Sequence, residues 1–348
     1  MKLQIGKWQK VNSCNMAKRR FTIYKLHFTS PLHIGDTRDD YSVSLKTIAS
    51  DTMYAALTSC LAKLGESIPP KGDLGCVISS LFPFYQKDEA SDAVLFFPKP
   101  LKQTLPTLKD LAKAKSVKKV SWLDKNYFEK VLNGETLFKD GVDVDNIKGD
   151  FLTTDKDFDK NFITSQVFPR VTVSRDASED AVPFYMDRVF FKDYSGLYFI
   201  AEGDLSLIKK ALALLQSEGI GTDRNVGNGF FEYEEKDVEL NLPDKADFAL
   251  ALSNYIPNNK EELADLTDNE NVAYDFVRRG GWITTPPHNT IRKNAVYSFS
   301  ASSVFKKEMS DVCELGKIVD LSPTLDFEPK VNHPIWRCGK ALFIPIKL

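Results

Sequence analysis

Apolar and polar positions near the start of the chain predict a strand followed by a helix. In FTIYKLHFT (21–29) the side chains alternate as they do on a half-buried β-strand. The next segment, SPLHIGDTRDD (30–40), is rich in Pro, Gly and Asp, which is typical of a loop. A helix is then predicted from Ser50, which can cap it, to Gly65, which ends it. Its predicted apolar face consists of Met53, Ala56, Leu57, Cys60, Leu61 and Leu64.

A second group of strands and one helix follows in the middle of the chain. Segments rich in aromatic and β-branched residues predict strands at LFPFYQ (81–86), AVLFFP (93–98), PRVTVSRD (169–176) and VFFKDYSGLYFIAEGD (189–204). A helix capped by Asp204 comes next and ends near Gly219. Its predicted apolar face consists of Ile208, Ala211, Leu212 and Leu215.

The pattern begins again after Asn241. The strand-like ADFALALSNYI is followed by a short helix candidate, NNKEELADL, and then by two predicted strands, AYDFVRRGGWIT and RKNAVYSFSASSVF. The final segments are CELGKIVDL and KALFIPI. Strands and helices grouped once before about residue 240 and once after it predict an α+β fold of two sandwiches, and not one doubly wound parallel sheet. We therefore expect a polar leader at 1–20, an N-terminal domain at 21–240 and a C-terminal domain at 241–348.

Composition changes this picture little, because 27% of the 348 residues are charged and 43% are hydrophobic, as in soluble globular proteins. No stretch approaches the roughly 20 apolar residues that span a bilayer, and the start lacks the apolar segment of a secretory signal, so we expect a cytoplasmic protein. The net charge of -2 excludes nucleic-acid binding by a general surplus of basic residues and leaves only local clusters. The five cysteines form no CxxC or Cys/His zinc spacing, so we expect neither a metal nor a cofactor.

Two segments of biased composition interrupt the N-terminal half. Residues 133–164 are acidic and contain scattered glycines, which predicts an insertion or a flexible arm. Residues 99–119 contain a dense lysine cluster that includes Lys118 and Lys119. Each phosphate that a lysine neutralises adds salt-dependent affinity, so both are candidate RNA contacts. A solvated lysine face is the alternative.

The segment GIGTDRNVGNGFF (219–231) carries four glycines between a predicted helix and a predicted strand. Glycine tolerates positive φ and lets a backbone approach a ligand closely, and successive exposed N–H groups can hold phosphate oxygens. Dinucleotide and P-loop signatures run from strand to loop to helix and end in GxxG or GK[ST], so neither fits. A helix end followed by a β-turn is the alternative. The candidate ligand residues are Gly219, Gly221, Arg224, Asn225, Gly227 and Gly229.

Ordered motifs over about residues 20–348 resemble one known family. They are SPLHIG, SDTMYAAL, PRVTVSRD, GIGTDRNVGNGFF, RRGGW and HPIWRCGKALFIPI. Together they are similar to the fourth subunit of the Csm complex, the type III-A CRISPR effector, which is a RAMP protein related to the fifth-Cas-protein group. The resemblance implies two ferredoxin-like (RRM-like) RAMP domains with inserted loops and no catalytic activity.

The resemblance also implies RNA and protein partners. It implies that the chain holds the repeat-derived 5′ tag of the crRNA in antiviral defence. It further implies docking against the large polymerase/cyclase-like subunit and the adjoining backbone RAMP subunit. The family's loop is often basic near its centre, whereas this one has Thr222 and Asp223. Because Asp223 repels phosphate, we expect Arg224 and the backbone amides to carry more of the binding.

The SPLHIG loop supplies three further candidate RNA contacts. We expect His33 and Arg38 to meet the RNA backbone or a tag base, and Gly35 to mark a close approach. Packing of His33 against Tyr41 is the alternative.

Arginines in two other motifs complete the set of candidates. Arg170 and Arg175 suit bidentate phosphate binding or base stacking, with pairing to nearby acidic residues as the alternative. Arg278, Arg279 and Arg292 lie beside glycines and a tryptophan, a combination that fits single-stranded RNA or the acidic surface of a partner equally well.

Catalytic motifs are not visible: the sequence has no HExxH, no GxSxG, no HD pair and no carboxylates at two-metal spacing. A non-enzymatic RNA-binding scaffold is therefore the leading hypothesis. The second is a metal-independent RAMP endoribonuclease that processes repeat RNA with His33 or His27 as general base, because imidazole can take the 2′-OH proton. A related subunit of another type III complex is the third.

Overall fold

The computed structural model describes residues 16–35, 40–103, 111–173, 180–324 and 330–348, without the side chains of residues 16, 17, 111 and 112. Its α-helices are α1 (Ser50–Lys63), α2 (Leu111–Lys119), α3 (Lys125–Leu132), α4 (Ser206–Glu218) and α5 (Lys260–Thr267). Short 3₁₀ turns lie at Pro70–Gly72, Lys139–Gly141, Val144–Asn146 and Arg224–Val226.

The strands fall into two groups along the chain. The first group is β1 (Met16–Phe28), β2 (Cys76–Ile78), β3 (Phe82–Tyr85), β4 (Val94–Pro98), β5 (Trp122–Asp124), β6 (Ile147–Lys148), β7 (Phe151–Leu152), β8 (Ile163–Thr172), β9 (Val182–Phe191), β10 (Gly196–Gly203) and β11 (Phe231–Pro243). The second group is β12 (Ala246–Ala251), β13 (Phe276–Arg279), β14 (Val296–Phe299), β15 (Val304–Met309), β16 (Cys313–Leu315), β17 (Ile318–Asp320), β18 (Trp336–Cys338) and β19 (Ala341–Ile346).

Two sheets and three ribbons organise these strands into a mixed α+β fold. The large sheet has the order β11-β1-β10-β3-β4-β5-β7-β6, with β2 also paired to β10, and its β5–β7 pair is parallel. The smaller sheet has the order β15-β12-β19-β16. The ribbons are β8–β9, β13–β14 and β17–β18. Residues 16–20, expected in a polar leader, belong to β1, whose pairing with β11 extends from Met16 to Phe28.

Strand β1 is buried on both faces, which corrects the prediction of a half-buried strand. Tyr24 and Leu26 pack in the cluster formed with α1 and α4. Phe21 and Ile23 pack in a second cluster with α3 and with strands β12 and β19 of the smaller sheet. Successive side chains of β1 therefore point alternately into two apolar layers, one on each face of the strand. Much of the second layer is supplied by α3, β12 and β19, which lie more than 100 residues away, so no local pattern reveals it.

Helix α4 confirms its predicted apolar face, because Ile208, Ala211, Leu212 and Leu215 are its buried residues, and it ends at Gly219. Helix α1 begins at Ser50 as expected, with Tyr54 as an unpredicted buried residue.

Both predicted helix caps are wrong. The residue that precedes α1 is Ala49, without a side-chain cap, because the Ser50 hydroxyl instead accepts the amide hydrogen of Asn254 at 2.8 Å. The residue that precedes α4 is Leu205, and the carboxylate of Asp204 accepts from the Ser206 amide at 3.0 Å.

Residues 133–164 form part of the packed structure and are not a flexible arm. Their apolar side chains are spaced widely among acidic residues, but several are fully buried, including Phe138, Leu152 and Phe162. The ring of Phe162 lies 5.5 Å from that of Tyr85 and 5.4 Å from that of Phe151. This segment supplies β6 and β7 and so completes one end of the large sheet.

Within the described residues, no helix combines the length and apolar character needed to cross a membrane. The same residues contain no group of three or more His, Cys, Asp or Glu side chains arranged to hold a metal ion. Cys60, Cys76, Cys313 and Cys338 are free thiols.

Replacing Phe162 with Ala is expected to lower the free energy of unfolding by about 3–5 kcal/mol, because it leaves a cavity among aromatic rings. Val142→Ala, in the same segment but 61% exposed, is expected to change it by less than about 0.5 kcal/mol. Chemical denaturation of both variants measures the difference. Equal effects would mean that the segment does not pack as described.

Candidate nucleic-acid interface

The glycine loop (residues 219–229) connects α4 to β11 and is fixed at both ends by its own backbone. The amide of Gly219 donates to the carbonyl of Leu215 at 2.8 Å, and the amide of Ile220 donates to the carbonyl of Gly229 at 2.9 Å. Gly219 and Gly229 have φ angles of 74° and 76°, which favour glycine. A side chain at Gly229 would collide with the carbonyl of Ile220.

The SPLHIG segment packs against the inner side of this loop. The amide of Gly229 donates to the carbonyl of Pro31 at 2.8 Å, and that of Thr222 to the carbonyl of His33 at 2.9 Å. A side chain at Gly221 would collide with the same His33 carbonyl. Gly219, Gly221 and Gly229 therefore serve close packing. This corrects the prediction that the amides of Gly219 and Gly229 bind phosphate, since both are already used, whereas a phosphate contact of Gly221 stays a prediction.

The tip of the loop, residues 222–227, faces outward. Arg224–Val226 form a single 3₁₀ turn, and Asn225 and Gly227 are exposed. A side chain added at Gly227 would meet open space. The tip is therefore the part of the loop that a ligand can reach.

The β8–β9 ribbon meets the loop through one of its faces. Its register places Phe168 opposite Met186, and Arg170 and Arg188 lie two residues further along their strands, so these four side chains share a face. The Nδ2 atom of Asn228, in the loop, lies 4.0 Å from the Sδ atom of Met186. This contact joins that face of the ribbon to the base of the tip.

Arg188 is a candidate that the sequence did not reveal, since the strand containing it was predicted to begin one residue later. Its guanidinium lies 5.6 Å from the centroid of the Phe168 ring. Its buried Nε has no hydrogen-bond partner among the described residues. Burial, followed by the charge of Arg170, lowers the pKa of Arg188, whereas Asp223 acts in the opposite direction. Arg188 therefore holds a positive charge next to the loop and an enclosed donor that the described residues leave unsatisfied.

Arg224 supplies positive charge on the helical side of the tip. The hydrogen bond from Lys63 lowers the pKa of Glu218, and the charge of Arg224 adds a smaller effect in the same direction. Arg224 is part of the loop tip, whereas Arg188 and Arg170 lie on the ribbon face next to the loop, and the carboxylate of Asp223 in the tip partly offsets the charge of Arg188.

The two histidines of the endoribonuclease hypothesis are packed against other side chains: His33 is buried and His27 is half-buried. His33 is 1% exposed, its Nδ1 lies 2.7 Å from the carbonyl oxygen of Asp187, and its ring stacks on Tyr41 at 5.9 Å. The side chain of His33 therefore takes the packing alternative, which corrects its predicted RNA contact. His27 packs edge-on against Phe84 at 5.1 Å, and burial lowers its pKa.

Of the remaining N-terminal candidates, the structure describes Gly35, Lys118 and Lys119. Gly35 is exposed, and Arg38 and Arg175 lie outside the described residues. Lys118 and Lys119 are exposed at the end of α2, which leads into β5. Because β5 is five strands from β11 in the large sheet, and strands are spaced ~4.8 Å apart, these lysines belong to a region about 24 Å from the edge that carries the loop.

Asp51, in the first turn of α1, is the centre of a buried ion cluster. Arg279 donates from Nε and Nη2 to its two carboxylate oxygens at 2.7 and 2.9 Å, and Arg337 donates from Nη1 at 2.9 Å. Asp51 is 1% exposed. The predicted RNA contact of Arg279 is therefore corrected, because its guanidinium is engaged with this carboxylate.

Three of the ordered motifs meet at this cluster. SDTMYAAL supplies Asp51, RRGGW supplies Arg279, and HPIWRCGKALFIPI supplies Arg337. The cluster joins the first helix of the chain to two strands of its C-terminal part. Arg278, next to Arg279, is exposed, and Arg292 lies 4.9 Å over the ring of Trp282.

Comparison with known proteins relates the C-terminal part of the chain to one family. Residues 244–346 match the family described as the CRISPR Csm4 C-terminal domain. Curated relatives named CRISPR system Cms protein Csm4 come from Streptococcus thermophilus, 28% identical over 165 residues, and from Thermococcus onnurineus strain NA1, 27% identical over 118 residues. These matches cover 45% and 33% of this chain, and they span only 50% and 37% of the relatives.

Solved structures share the fold over nearly the whole chain. A Csm3–Csm4 subcomplex of the type III-A CRISPR-Cas interference complex contains a chain with a TM-score of 0.56 and 17% identity, and the match covers 94% of this chain and 99% of that one. A Csm1–Csm4 cassette in complex with cA4 gives a TM-score of 0.53 at 17% identity, with coverages of 95% and 99%. Together with the family match, these findings confirm the resemblance to the fourth Csm subunit.

Replacing Arg279 with Met is expected to lower the free energy of unfolding by about 3 kcal/mol, because it removes a partner from a buried carboxylate. Arg278→Met is the matched control on the same strand and is expected to change it by less than about 0.5 kcal/mol, because Arg278 is exposed. Urea titrations of the two variants compare them directly. A similar small effect in both would contradict a structural role for the cluster.

Lys293, which lies near the same cluster, is expected to make the free energy of unfolding depend on pH. Burial, followed by the charge of Arg337, lowers the pKa of Lys293 to about 8 from 10.5. Between these values the unfolded chain binds more protons than the folded one, so the free energy of unfolding should rise as the pH rises. Measurements at several pH values across this window should show a smaller rise for Lys293→Met. An identical slope in the variant would exclude Lys293 as the source.

Proposed function

We propose, from the membership of residues 244–346 in the Csm4 C-terminal domain family, that this chain is a non-catalytic subunit of a type III-A CRISPR (Csm) ribonucleoprotein. In this role it binds the 5′ repeat-derived tag of the crRNA in antiviral defence. It also docks the large polymerase/cyclase-like subunit and the adjoining backbone RAMP subunit. The observation that carries the RNA-binding part is the outward loop tip, which contains Arg224 and lies next to the ribbon face of Arg170 and Arg188.

A ferredoxin-like RAMP core in the N-terminal domain is supported by the strand order. In this core, β1 is strand one, β2 together with β3 is strand two, β10 is strand three and β11 is strand four. The sheet order β11-β1-β10-β3 then reads 4-1-3-2. The helices α1 and α4 connect strand one to strand two and strand three to strand four, as in the β-α-β-β-α-β arrangement. The segments that contain β4 to β9 are then insertions into this core.

The C-terminal domain, which we place after β11, keeps part of the same order. Its strands β19, β12 and β15 are neighbours in the sheet and correspond to positions four, one and three. Between β12 and β15 lie α5 and the β13–β14 ribbon, so the second domain departs further from the regular arrangement.

The loop tip suits a sugar-phosphate backbone better than a base pocket. Guanidinium groups bind phosphate oxygens bidentately, and three of them around one exposed turn can follow successive phosphates. Phe168 lies on the same ribbon face, under Arg188, and offers an apolar surface for an unstacked base. Asp223 disfavours phosphate directly at its own position. The RNA path therefore runs along the ribbon side or the helical side of the tip.

The other exposed candidates are assigned to outer parts of the RNA path or to partner contacts. Arg278 and Arg292 are exposed in the C-terminal part of the chain. Lys118 and Lys119 lie toward the far end of the large sheet. Gly35 is the last residue of the SPLHIG segment, which contacts the glycine loop. Direct contacts by these residues with RNA remain predictions, as do those of Arg38 and Arg175.

The endoribonuclease alternative gains no support from the geometry. A general base must be within hydrogen-bond reach of the 2′-OH proton, and the imidazole of His33 is enclosed and already bonded to the carbonyl of Asp187. Burial favours neutral His27, but that ring is packed on Phe84 within a sheet. A scaffold role agrees better with both positions.

Two partners are proposed from the solved relatives. The structures of similar fold are a Csm1–Csm4 cassette and a Csm3–Csm4 subcomplex. By analogy, the large subunit and the backbone RAMP subunit of the same complex are the proteins that this chain would bind.

Replacing Arg188 or Arg170 with Gln is expected to weaken binding of single-stranded RNA with the 5′ tag by about tenfold, because each change removes a charge-assisted phosphate contact. The slope of log affinity against log salt should fall by about 0.7 for each lost contact. Fluorescence anisotropy at several salt concentrations measures both quantities.

The double variant Lys139→Gln/Lys306→Gln is the control, since it removes two exposed charges that are not among the candidate RNA contacts. It is expected to keep the affinity within about twofold. If the lysine and arginine variants lose RNA affinity equally, a diffuse basic surface and not the loop tip binds the RNA. If both arginine variants bind RNA as the unaltered chain does, the tip is removed from the proposal.

A further inference from the structure

The β13–β14 ribbon carries an unusual concentration of exposed aromatic rings. Phe276 is 57% exposed and Tyr297 is 62% exposed, and their ring centroids lie 5.9 Å apart. Tyr274, just before β13, is 47% exposed. Monomeric proteins rarely leave such groups clustered in water without a binding role.

The register of the ribbon explains why these rings face outward. Arg278 is paired with Tyr297 and shares its face with Phe276, whereas Arg279 lies on the opposite face. Because Arg279 is held by Asp51 through two hydrogen bonds, the inner face is anchored to α1. The outer face with its aromatic side chains is therefore fixed in orientation.

The exposed rings rest on a rigid support. Tyr274 contacts Phe299 edge-on at 5.1 Å, and Phe299 stacks on the fully buried Tyr255 at 5.9 Å. A side chain that is already ordered loses little conformational entropy when a partner covers it. Aromatic residues and arginine are also the residues enriched at energetically important positions of protein interfaces.

A protein fits this surface better than RNA for two reasons. The rings of Phe276 and Tyr297 are inclined at 79°, so they do not present two parallel faces for successive bases. The exposed carboxylates of Glu270 and Asp275 lie in the same segment, and Asp275 separates the two aromatic residues Tyr274 and Phe276. Negative charge at this position opposes a phosphate backbone.

We propose that the outer face of the β13–β14 ribbon, formed by Tyr274, Phe276, Arg278 and Tyr297, is a docking surface for a partner protein. The partner's facing surface has an apolar centre that covers the rings and basic side chains that meet the acidic rim. Charge complementarity then orients the complex. This inference rests on the proposed function, because it requires a protein partner. It adds the location on this chain at which that partner binds.

The test uses the full chain with three purified probes: the large polymerase/cyclase-like subunit, the backbone RAMP subunit and single-stranded tag RNA. Phe276→Ser/Tyr297→Ser is expected to weaken binding of one of the two proteins by at least about tenfold and to leave RNA affinity unchanged. Arg278→Ala, which removes the long side chain beside the rings, should weaken binding of the same protein. Val142→Ser, an equally exposed position elsewhere, is expected to leave all three unchanged. Chemical denaturation verifies that each variant is folded.

Other outcomes overturn the inference in distinguishable ways. If the ribbon variant loses RNA affinity but still binds both proteins, the ribbon is a stacking surface for RNA. A change from dimer to monomer in light scattering would make it an interface between copies of this chain. Unchanged binding of all probes would remove any docking role. If the unaltered chain bound neither protein, the proposed function itself would fail.

Discussion

The buried carboxylate of Asp51 is the constraint on which the arrangement of this protein depends. A charge removed from water must be paired, and Arg279 and Arg337 pair it from two separate segments of the C-terminal part. The same helix, α1, spans ~21 Å and packs along α4, whose end at Gly219 begins the glycine loop. One ion cluster therefore fixes the inner side of the aromatic ribbon and also the first turn of the helix that supports the loop.

Strong local periodicity made the helices predictable. The features that could not be predicted, such as the cap of α1, depend on contacts between residues far apart in the sequence. The apolar face of α4 follows from its spacing, and all four of its predicted residues are buried. The cap of α1 failed because Asn254 takes the Ser50 hydroxyl from about 200 residues away. Residues 133–164 were mistaken for an arm because their buried rings are few and widely spaced. The overall composition of the segment is acidic and hides these few apolar residues, whereas whether the segment packs depends on each of them.

The candidate site shows the same division. The position of the glycine loop between helix and strand was predictable, but the roles of its glycines depend on the segment from Pro31 to His33, which is distant in sequence. Arg279 looked like an RNA ligand because two arginines beside two glycines give no sign of which one turns inward. Arg188 escaped notice because its importance comes from its neighbours across the ribbon and not from its own motif.

Low net charge and a small cluster of arginines together limit what the loop tip can do alone. Three guanidinium groups can neutralise about three phosphates, fewer than the 6–10 contacts of proteins that bind nucleic acid tightly through the backbone. Under the proposed function, an RNA held by so few contacts would be held more firmly when a docked protein adds contacts next to it, since the second interaction is then intramolecular. Docking at the ribbon and binding at the tip would therefore depend on each other. The ion cluster at Asp51, which anchors the ribbon and the first turn of α1, would keep these two surfaces in a fixed relation.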